Sequence, residues 1–312
     1  MHPLPREFIT TMVNLYGSRG QRWCDTLPIH LQRLAEDWNL DLGEPFPLSY
    51  NYVCAATHRA TGQAVVLKTS PDNPDFHSEV AMLRHYNGRS AVTLLAVHES
   101  PTALLMPAAT PGTRLVDSGL SDDTQTHIAA TVMRACITPA RPNAPFPAHL
   151  MQGAVLTDLP ARHPAAVDLI GIAHHAATIR FLSQRHPNDS RFALHGDLHH
   201  ENILRHGTDW LIIDPKGVIG EPAAECAAFL RNPGRLLDSG IDVVALTIKR
   251  IGIFASVLQI PASKIAHWNY ALMVLSAWWC YEEAQTIPSR VCGYIDAFAQ
   301  VAAHCAQQET HK

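Results

Sequence analysis

An aspartate, an asparagine and a second aspartate stand in an order suited to handling metal-bound phosphate. The first two lie in His195-Gly196-Asp197-Leu198-His199-His200-Glu201-Asn202-Ile203-Leu204, and the third in Ile212-Ile213-Asp214-Pro215. Asn202 comes five residues after Asp197, and Asp214 twelve after Asn202. Phosphoryl transfer asks a protein for a positioned hydroxyl and screened phosphate charge more than for covalent help. A carboxylate at Asp197 would orient the acceptor hydroxyl and take its proton. Asn202 and Asp214 would hold magnesium through oxygen, the donor that hard ion prefers. The polar anchors alternate with Leu198, Ile203 and Leu204, which read as buried, so a merely solvated loop is the poorer description.

A lysine that closes an apolar strand can reach phosphate as a point charge. Lys68 ends Val65-Val66-Leu67-Lys68, and Glu79 follows eleven residues on, where it could fix the ammonium by ion pairing. Taken alone, these are a lysine at a strand end and a solvated glutamate; the catalytic segment gives them the second meaning. The phosphate loop is weakly marked. Leu48-Ser49-Tyr50-Asn51-Tyr52 holds no glycine, so Ser49 and backbone N–H groups are the phosphate contacts on offer. Past Met106, adenine would meet the carbonyl of Pro107, which lacks only its N–H, and the N–H of Ala109.

The pattern around these residues changes part-way along the chain. Residues 21–40 carry Trp23, Leu27, Leu31, Leu34 and Trp38 at helical spacing, with Pro28 beginning a second half. Residues 53–57 and 64–68 read as strands joined by a turn at 59–62, followed by a helix capped by Asp75 and ended by Asn87-Gly88. Residues 91–97 and 103–106 read as two more strands. After Pro111-Gly112 helices dominate: one capped by Ser121 with Ile128, Val132 and Cys136 on a face, a proline-rich loop at 138–148, a helix at 165–185, a short strand at 210–213, and helices near 241–259, 262–284 and 290–307. A β-rich first third and a helical remainder predict two lobes with a cleft between them, divided as 1–108 and 109–312.

On the helix over 262–284, Trp268, Leu272, Leu275 and Trp279 share a stripe, the usual mark of a core. Glu282 continues that face and Glu283 follows, though acidic groups in a last turn oppose the helix dipole. The two are expected to bind a cationic acceptor, with a solvated helix end as the plainer alternative for Glu283. His195, His199 and His200 beside Asp197 could instead belong to a dinuclear metal hydrolase, but that chemistry needs more His and Asp clusters downstream, and Asp214 stands alone there.

The bulk numbers fit a small-molecule partner. Across 312 residues, 47% are hydrophobic and 17% charged, so the chain is globular. A net charge of −4 argues against nucleic acid and leaves room for a cationic ligand. Seven cysteines without a CxxC pair predict neither a disulfide framework nor a zinc ribbon, and fit a reducing cytoplasm. No apolar run reaches bilayer length and no signal peptide is evident, so no membrane partner is expected.

With these residues in place, the chain resembles the aminoglycoside/hydroxyurea antibiotic resistance kinases, which include streptomycin 6-phosphotransferases. The resemblance runs over most of the chain: Trp23 with Leu27-Pro28, Asn51-Tyr52-Val53, Ala64 to Lys68, Glu79, Ala103 to Met106 with Pro111-Gly112, Leu194 to His199 with Asn202-Ile203-Leu204, Ile213-Asp214-Pro215-Lys216-Gly217, and Asn232-Pro233. The HGDLHxxN run is shared widely among small-molecule kinases; the Asp-Pro-Lys-Gly continuation is narrower. Met106-Pro107-Ala108 departs from relatives, which tend to carry an acidic and a basic residue there. The resemblance implies an α+β, bilobal protein-kinase-like fold: a small antiparallel β N-lobe with a helix, and a larger helical C-lobe. It implies ATP and Mg2+, with Asp197 as base, Asn202 and Asp214 as metal ligands, and Lys68 on the nucleotide phosphates. The expected activity is transfer of the γ-phosphate to a hydroxyl of a small molecule, an aminoglycoside such as streptomycin. A kinase of another metabolite (sugar amine, choline-like or hydroxyurea-like) and a non-catalytic nucleotide-binding module remain as alternatives.

Overall fold

The computed structural model describes residues 4–141, 143–148, 153–185 and 191–310. These divide into two compact units, 1–112 and 113–312.

In the first unit, α1 (Arg6–Tyr16) and α2 (Ser18–Asp37) pack on a five-stranded antiparallel sheet. The sheet holds β1 (Leu40–Pro45), β2 (Tyr52–His58), β3 (Ala64–Thr69), β4 (Ala96–Glu99) and β5 (Thr102–Pro107), in the order β1-β2-β3-β5-β4. Its core joins Phe8, Trp23, Leu27, Leu31 and Leu34 of the helices to Leu40, Cys54, Val65, Leu67 and Leu105 of the strands. Each fully buried leucine here is worth about 2 kcal/mol of transfer free energy.

Three expectations change in this unit. Helix α2 runs unbroken through Pro28, which does not start a second segment, and Trp38 is the residue after its end. The apolar spacing of Trp23, Leu27, Leu31 and Leu34 against the sheet outweighs the missing N–H. Helix α3 (Pro74–Tyr86) is capped not by Asp75 but by Asn73, whose side chain accepts from Phe76 N at 3.0 Å. Pro74 with its fixed φ supplies the first position, which leaves Asp75 to face the positive helix end from the first turn. The helix stops at Asn87, in the left-handed region at φ 49°. Only Ala96 and Val97 of the strand expected over 91–97 join the sheet, in β4.

The second unit is mainly helical. Strand β6 (Pro111–Arg114) leads into it. Helix α4 (Asp122–Cys136) is capped by Ser121, and Val132 and Cys136 are buried while Ile128 is half-buried. Then come α5 (Val155–Arg162), α6 (Pro164–Ile170) and α7 (Ile172–Ser183). The single helix expected over 165–185 is thus two, bent by 96°. Gly171 between them has φ 94°, which ends α6 and lets the chain turn. Two short strands, β7 (Thr138–Pro139) and β8 (Phe192–Leu194), are joined by β11 (Val218–Gly220) in one small sheet, while β9 (Ile203–His206) and β10 (Asp209–Ile212) form a hairpin. Helices α8 (Cys226–Leu230), α9 (Gly234–Leu237), α10 (Val243–Leu258), α11 (Ala262–Ala284) and α12 (Ser289–Thr310) complete the unit. Helix α11 is apolar on nearly every side, and Trp268, Leu272, Leu275 and Trp278 are all buried. Among the described residues, no single helix is long and apolar enough to cross a membrane.

Candidate active site

Asp197 follows a turn that only glycine makes comfortably. Gly196 has φ 81°, and a Cβ there would lie 3.0 Å from Val218 Cγ2. Strand β8 therefore ends in a sharp corner that presents Asp197 on the far side. Two buried partners hold the corner. Glu225 Oε1 accepts from Gly196 N at 3.2 Å, and Asp197 N donates to His195 Nδ1 at 3.3 Å. His195 then donates from Nε2 to the carbonyl of Ile213 at 2.8 Å, which selects its neutral tautomer.

Asn202 is fastened directly to the same loop. Its Nδ2 donates to the carbonyl of Asp197 at 3.0 Å, and its carbonyl accepts from Ile213 N at 3.0 Å. With Nδ2 committed to the backbone, Oδ1 is the end of the amide left to meet a ligand. Asp214 follows Ile213 with its side chain exposed and its backbone left-handed at φ 61°, a conformation aspartate tolerates better than most residues. The chain then doubles back: Lys216 N and Gly217 N both donate to the carbonyl of His195, at 2.9 and 3.1 Å. One hydrogen-bonded frame thus joins residues 195–197, 202 and 213–217.

A pocket of about 170 Å³ opens beside Asp197. Its walls include Lys216, Glu225, Arg231, Leu272 and Trp279. Lys216 Nζ is 3.3 Å from Asp197 Oδ2. Burial pushes the Asp197 carboxyl up, but Lys216, His199, Arg231 and His195 together outweigh that push and hold it below its ordinary value. It is therefore ionised at neutral pH, as a proton acceptor must be. Arg231 Nη1 is buried without a hydrogen-bond partner among the described residues.

Neither Glu282 nor Glu283 lines this pocket; both are exposed in the last turn of α11. Trp279, three residues earlier, does line it and is 42% exposed, while its neighbour Trp278 takes the core position. The stripe read as uniform core thus ends in a pocket wall. Lys216 stood in the sequence only as part of a family motif, and Glu225 and Arg231 carried no spacing signal, because the chain folds them under Asp197 from a distance.

In the first unit, Lys68 Nζ lies 2.8 and 2.7 Å from the two carboxylate oxygens of Glu79, and both residues are buried. A buried ion pair adds little stability over an apolar pair. What it does provide is an ammonium held in one place. Ser49 is exposed in the connection between β1 and β2. Pro107 ends β5 opposite Val65. Since Ala108 N donates to Ala64 O at 3.0 Å, the Val65/Pro107 pair is the non-hydrogen-bonded kind. The missing N–H of Pro107 therefore breaks no ladder bond, and its carbonyl points away from β3. Ala109 lies two residues on, half-buried.

Among the described residues no three His, Cys, Asp or Glu side chains cluster as a metal site, so the dinuclear reading finds no ligand set. Asn202 and Asp214 offer two oxygen donors, which suits an ion that draws its remaining ligands from phosphate and water.

The buried histidines predict a pH dependence. Burial lowers His195 to about 4, against hydrogen bonding to Ile213, and lowers His200 to about 2, with Arg250 adding to the effect. In the unfolded chain both titrate near 6.5. Between pH 6.5 and 4 the unfolded state therefore binds two protons that the native state refuses, and stability falls with pH. Burial raises Glu225 to about 7 from 4.5, against hydrogen bonds from Gly196 and His195, which gives the opposite slope with one proton. These three groups together give a loss of up to about 1.4 kcal/mol per pH unit on acidification below 6.5, and His199, also lowered by burial, adds to it. Denaturant melts from pH 6.5 to 4.5 read it directly; a midpoint that holds or rises would contradict it.

Comparison with known proteins now supplies the family. The model of the aminoglycoside/hydroxyurea antibiotic resistance kinases matches residues 49–284. The chain belongs to this family. It is 23% identical to a streptomycin 6-kinase of Streptomyces glaucescens, over 90% of this chain and 91% of that one. It is 25% identical to a hydroxyurea phosphotransferase of Kitasatospora aureofaciens, over 92% and 83%. Among solved structures, a thermostable mutant of the aminoglycoside phosphotransferase APH(4)-Ia, in a ternary complex with ADP and hygromycin B, superposes with a TM-score of 0.58 at 15% identity, covering 87% of this chain and 98% of that one. A choline/ethanolamine kinase family protein from Mesorhizobium loti gives 0.59 at 13% identity, over 90% and 94%. The fold is the protein-kinase-like one that the motifs implied.

Proposed function

We propose that this kinase transfers the γ-phosphate of ATP to a hydroxyl of an aminoglycoside, with streptomycin as the first acceptor to test. The observation that carries the reading is the frame that holds Asp197 ionised at the edge of a pocket and ties it to Asn202. In this reading Asp197 orients the acceptor hydroxyl and takes its proton as the oxygen attacks the γ-phosphorus. Lys68, fixed by Glu79, binds the nucleotide phosphates. Pro107 and Ala109 present a carbonyl and an N–H to adenine, and Ser49 lies in the segment expected over the phosphates. Asn202 and Asp214 would hold Mg2+, which, when bound, screens the phosphate charge. Leu272 and Trp279 offer an apolar wall on which a sugar or cyclitol ring can lie. Glu282 and Glu283, exposed beyond that wall, would meet the cationic groups of such a molecule.

ADP release with streptomycin, hydroxyurea, choline and a panel of sugar amines tests this. Acceptor-dependent release with streptomycin, and mass addition of one phosphate, is expected. Release with hydroxyurea or choline alone would reassign the acceptor, and Mg-ATP binding without turnover on any of them would favour the non-catalytic module. Asp214→Asn is expected to weaken Mg2+-dependent nucleotide binding by about tenfold or more, since a carboxylate ligand becomes a neutral amide. Titration of nucleotide with and without Mg2+ checks it, and curves that match wild type in both would count against Asp214 as a ligand.

A further inference from the structure

We propose that Lys216 is a catalytic residue, whose ammonium passes from Asp197 to the transferred phosphoryl group as the reaction proceeds. This rests on the phosphotransferase reading above.

Three observations place it. Lys216 Nζ lies 3.3 Å from Asp197 Oδ2, on the wall of the same pocket. Its backbone N–H is bonded to the carbonyl of His195, so the residue cannot drift away from the loop that carries the base. Its side chain is nonetheless 61% exposed, far more than Asp197 at 28%, so the ammonium faces the open side of the pocket rather than the core. A lysine kept only for stability would be a poor investment there, since a half-exposed ion pair contributes at most about 1 kcal/mol.

The charges along the reaction give it a task. The acceptor oxygen forms a bond to the γ-phosphorus. The bond from that phosphorus to the β-phosphate oxygen breaks, and ADP leaves with the electron pair. The acceptor proton passes to the Asp197 carboxylate. Asp197 is then neutral, and Lys216 has lost its partner at the moment a dianionic phosphate ester forms within reach of the same pocket. An ammonium that turns from the spent carboxylate to the phosphoryl oxygens binds the transition state more strongly than the ground state, which is the condition for raising kcat. Arg231, buried beside Asp197, stays behind to compensate the carboxylate when the proton departs.

The test compares Lys216→Ala and Lys216→Arg in the full chain. Lys216→Ala should lower kcat by about 10²–10³ while the KM values for ATP and acceptor stay near wild type. Lys216→Arg, which keeps the charge, should recover much of the loss, and methylammonium should partly restore Lys216→Ala. A structural role would lower the melting temperature, and methylammonium would not restore turnover. A kcat for Lys216→Ala close to wild type overturns the proposal, as does a loss that neither arginine nor the amine repairs. Wild-type turnover on the acceptor panel is measured first. Its absence would defeat the functional reading, and the slow hydrolysis of Mg-ATP by water would then read Lys216 through the same variants.

Discussion

Asp197→Asn should lower kcat by about 10³-fold while nucleotide binding stays near wild type, because it removes the proton acceptor and leaves the shape of the loop. The side chain changes by one atom. The backbone bonds that set the corner involve Asp197 N and Asp197 O, not its carboxylate, so His195 and Asn202 keep their partners. What vanishes is an ionised acceptor that Lys216 and its neighbours hold deprotonated at neutral pH. Single-turnover phosphorylation and ATP titration separate the two effects. Turnover close to wild type would remove Asp197 from the chemistry, and a collapse of ATP binding would make the loss a folding effect.

A second large effect is expected far from the phosphate chemistry. Arg250, on α10, is completely buried, and the Asp122 carboxylate accepts from its Nη2 at 2.5 Å and from Nε at 3.1 Å. The carbonyl of Asn232 accepts from Nη1 at 2.7 Å. This guanidinium ties the start of α4 to α10 and to the turn that follows α8. Asp122→Ala leaves a buried cation with only backbone carbonyls and the Phe229 ring for company. Loss of one member of such a pair costs about 3 kcal/mol or more. Denaturant unfolding should show it, and Asp122→Ala combined with Arg250→Met should be less damaged than Asp122→Ala alone, since the stranded charge has gone. Equal damage in the double variant would show that packing, not charge, dominates at Arg250.

That the candidate site residues meet was legible because they sit close together in the chain. Asp197, Asn202 and Asp214 lie within eighteen residues, and the strands and turns between them are short, so spacing alone predicts their company. Lys68 and Glu79 were readable for the same reason: an apolar strand and the next helix fix their separation. Failures came where one residue's backbone overrules a pattern. The apolar periodicity continues straight through Gly171, yet the chain bends there. Asp75 is a good capping residue, but Asn73 before Pro74 is better placed. Glu225 and Arg231 could not be found at all, because their meeting with Asp197 depends on how α8 packs beneath the loop, and nothing local in the sequence encodes that.

The amide of Asn202 has a wider consequence. By clasping the peptide of Asp197 with one end of its side chain, it fastens the residues we propose as proton acceptor and Mg2+ ligand into one hydrogen-bonded part. Neither can be retuned without disturbing its companion. The wall proposed for the acceptor is separate from that frame: Leu272 and Trp279 project from one long helix, and substitution there leaves the hydrogen-bonded frame alone. On this proposal, new molecules are accommodated by changing the panelling while the engine is inherited intact, as relatives named for streptomycin and for hydroxyurea would require.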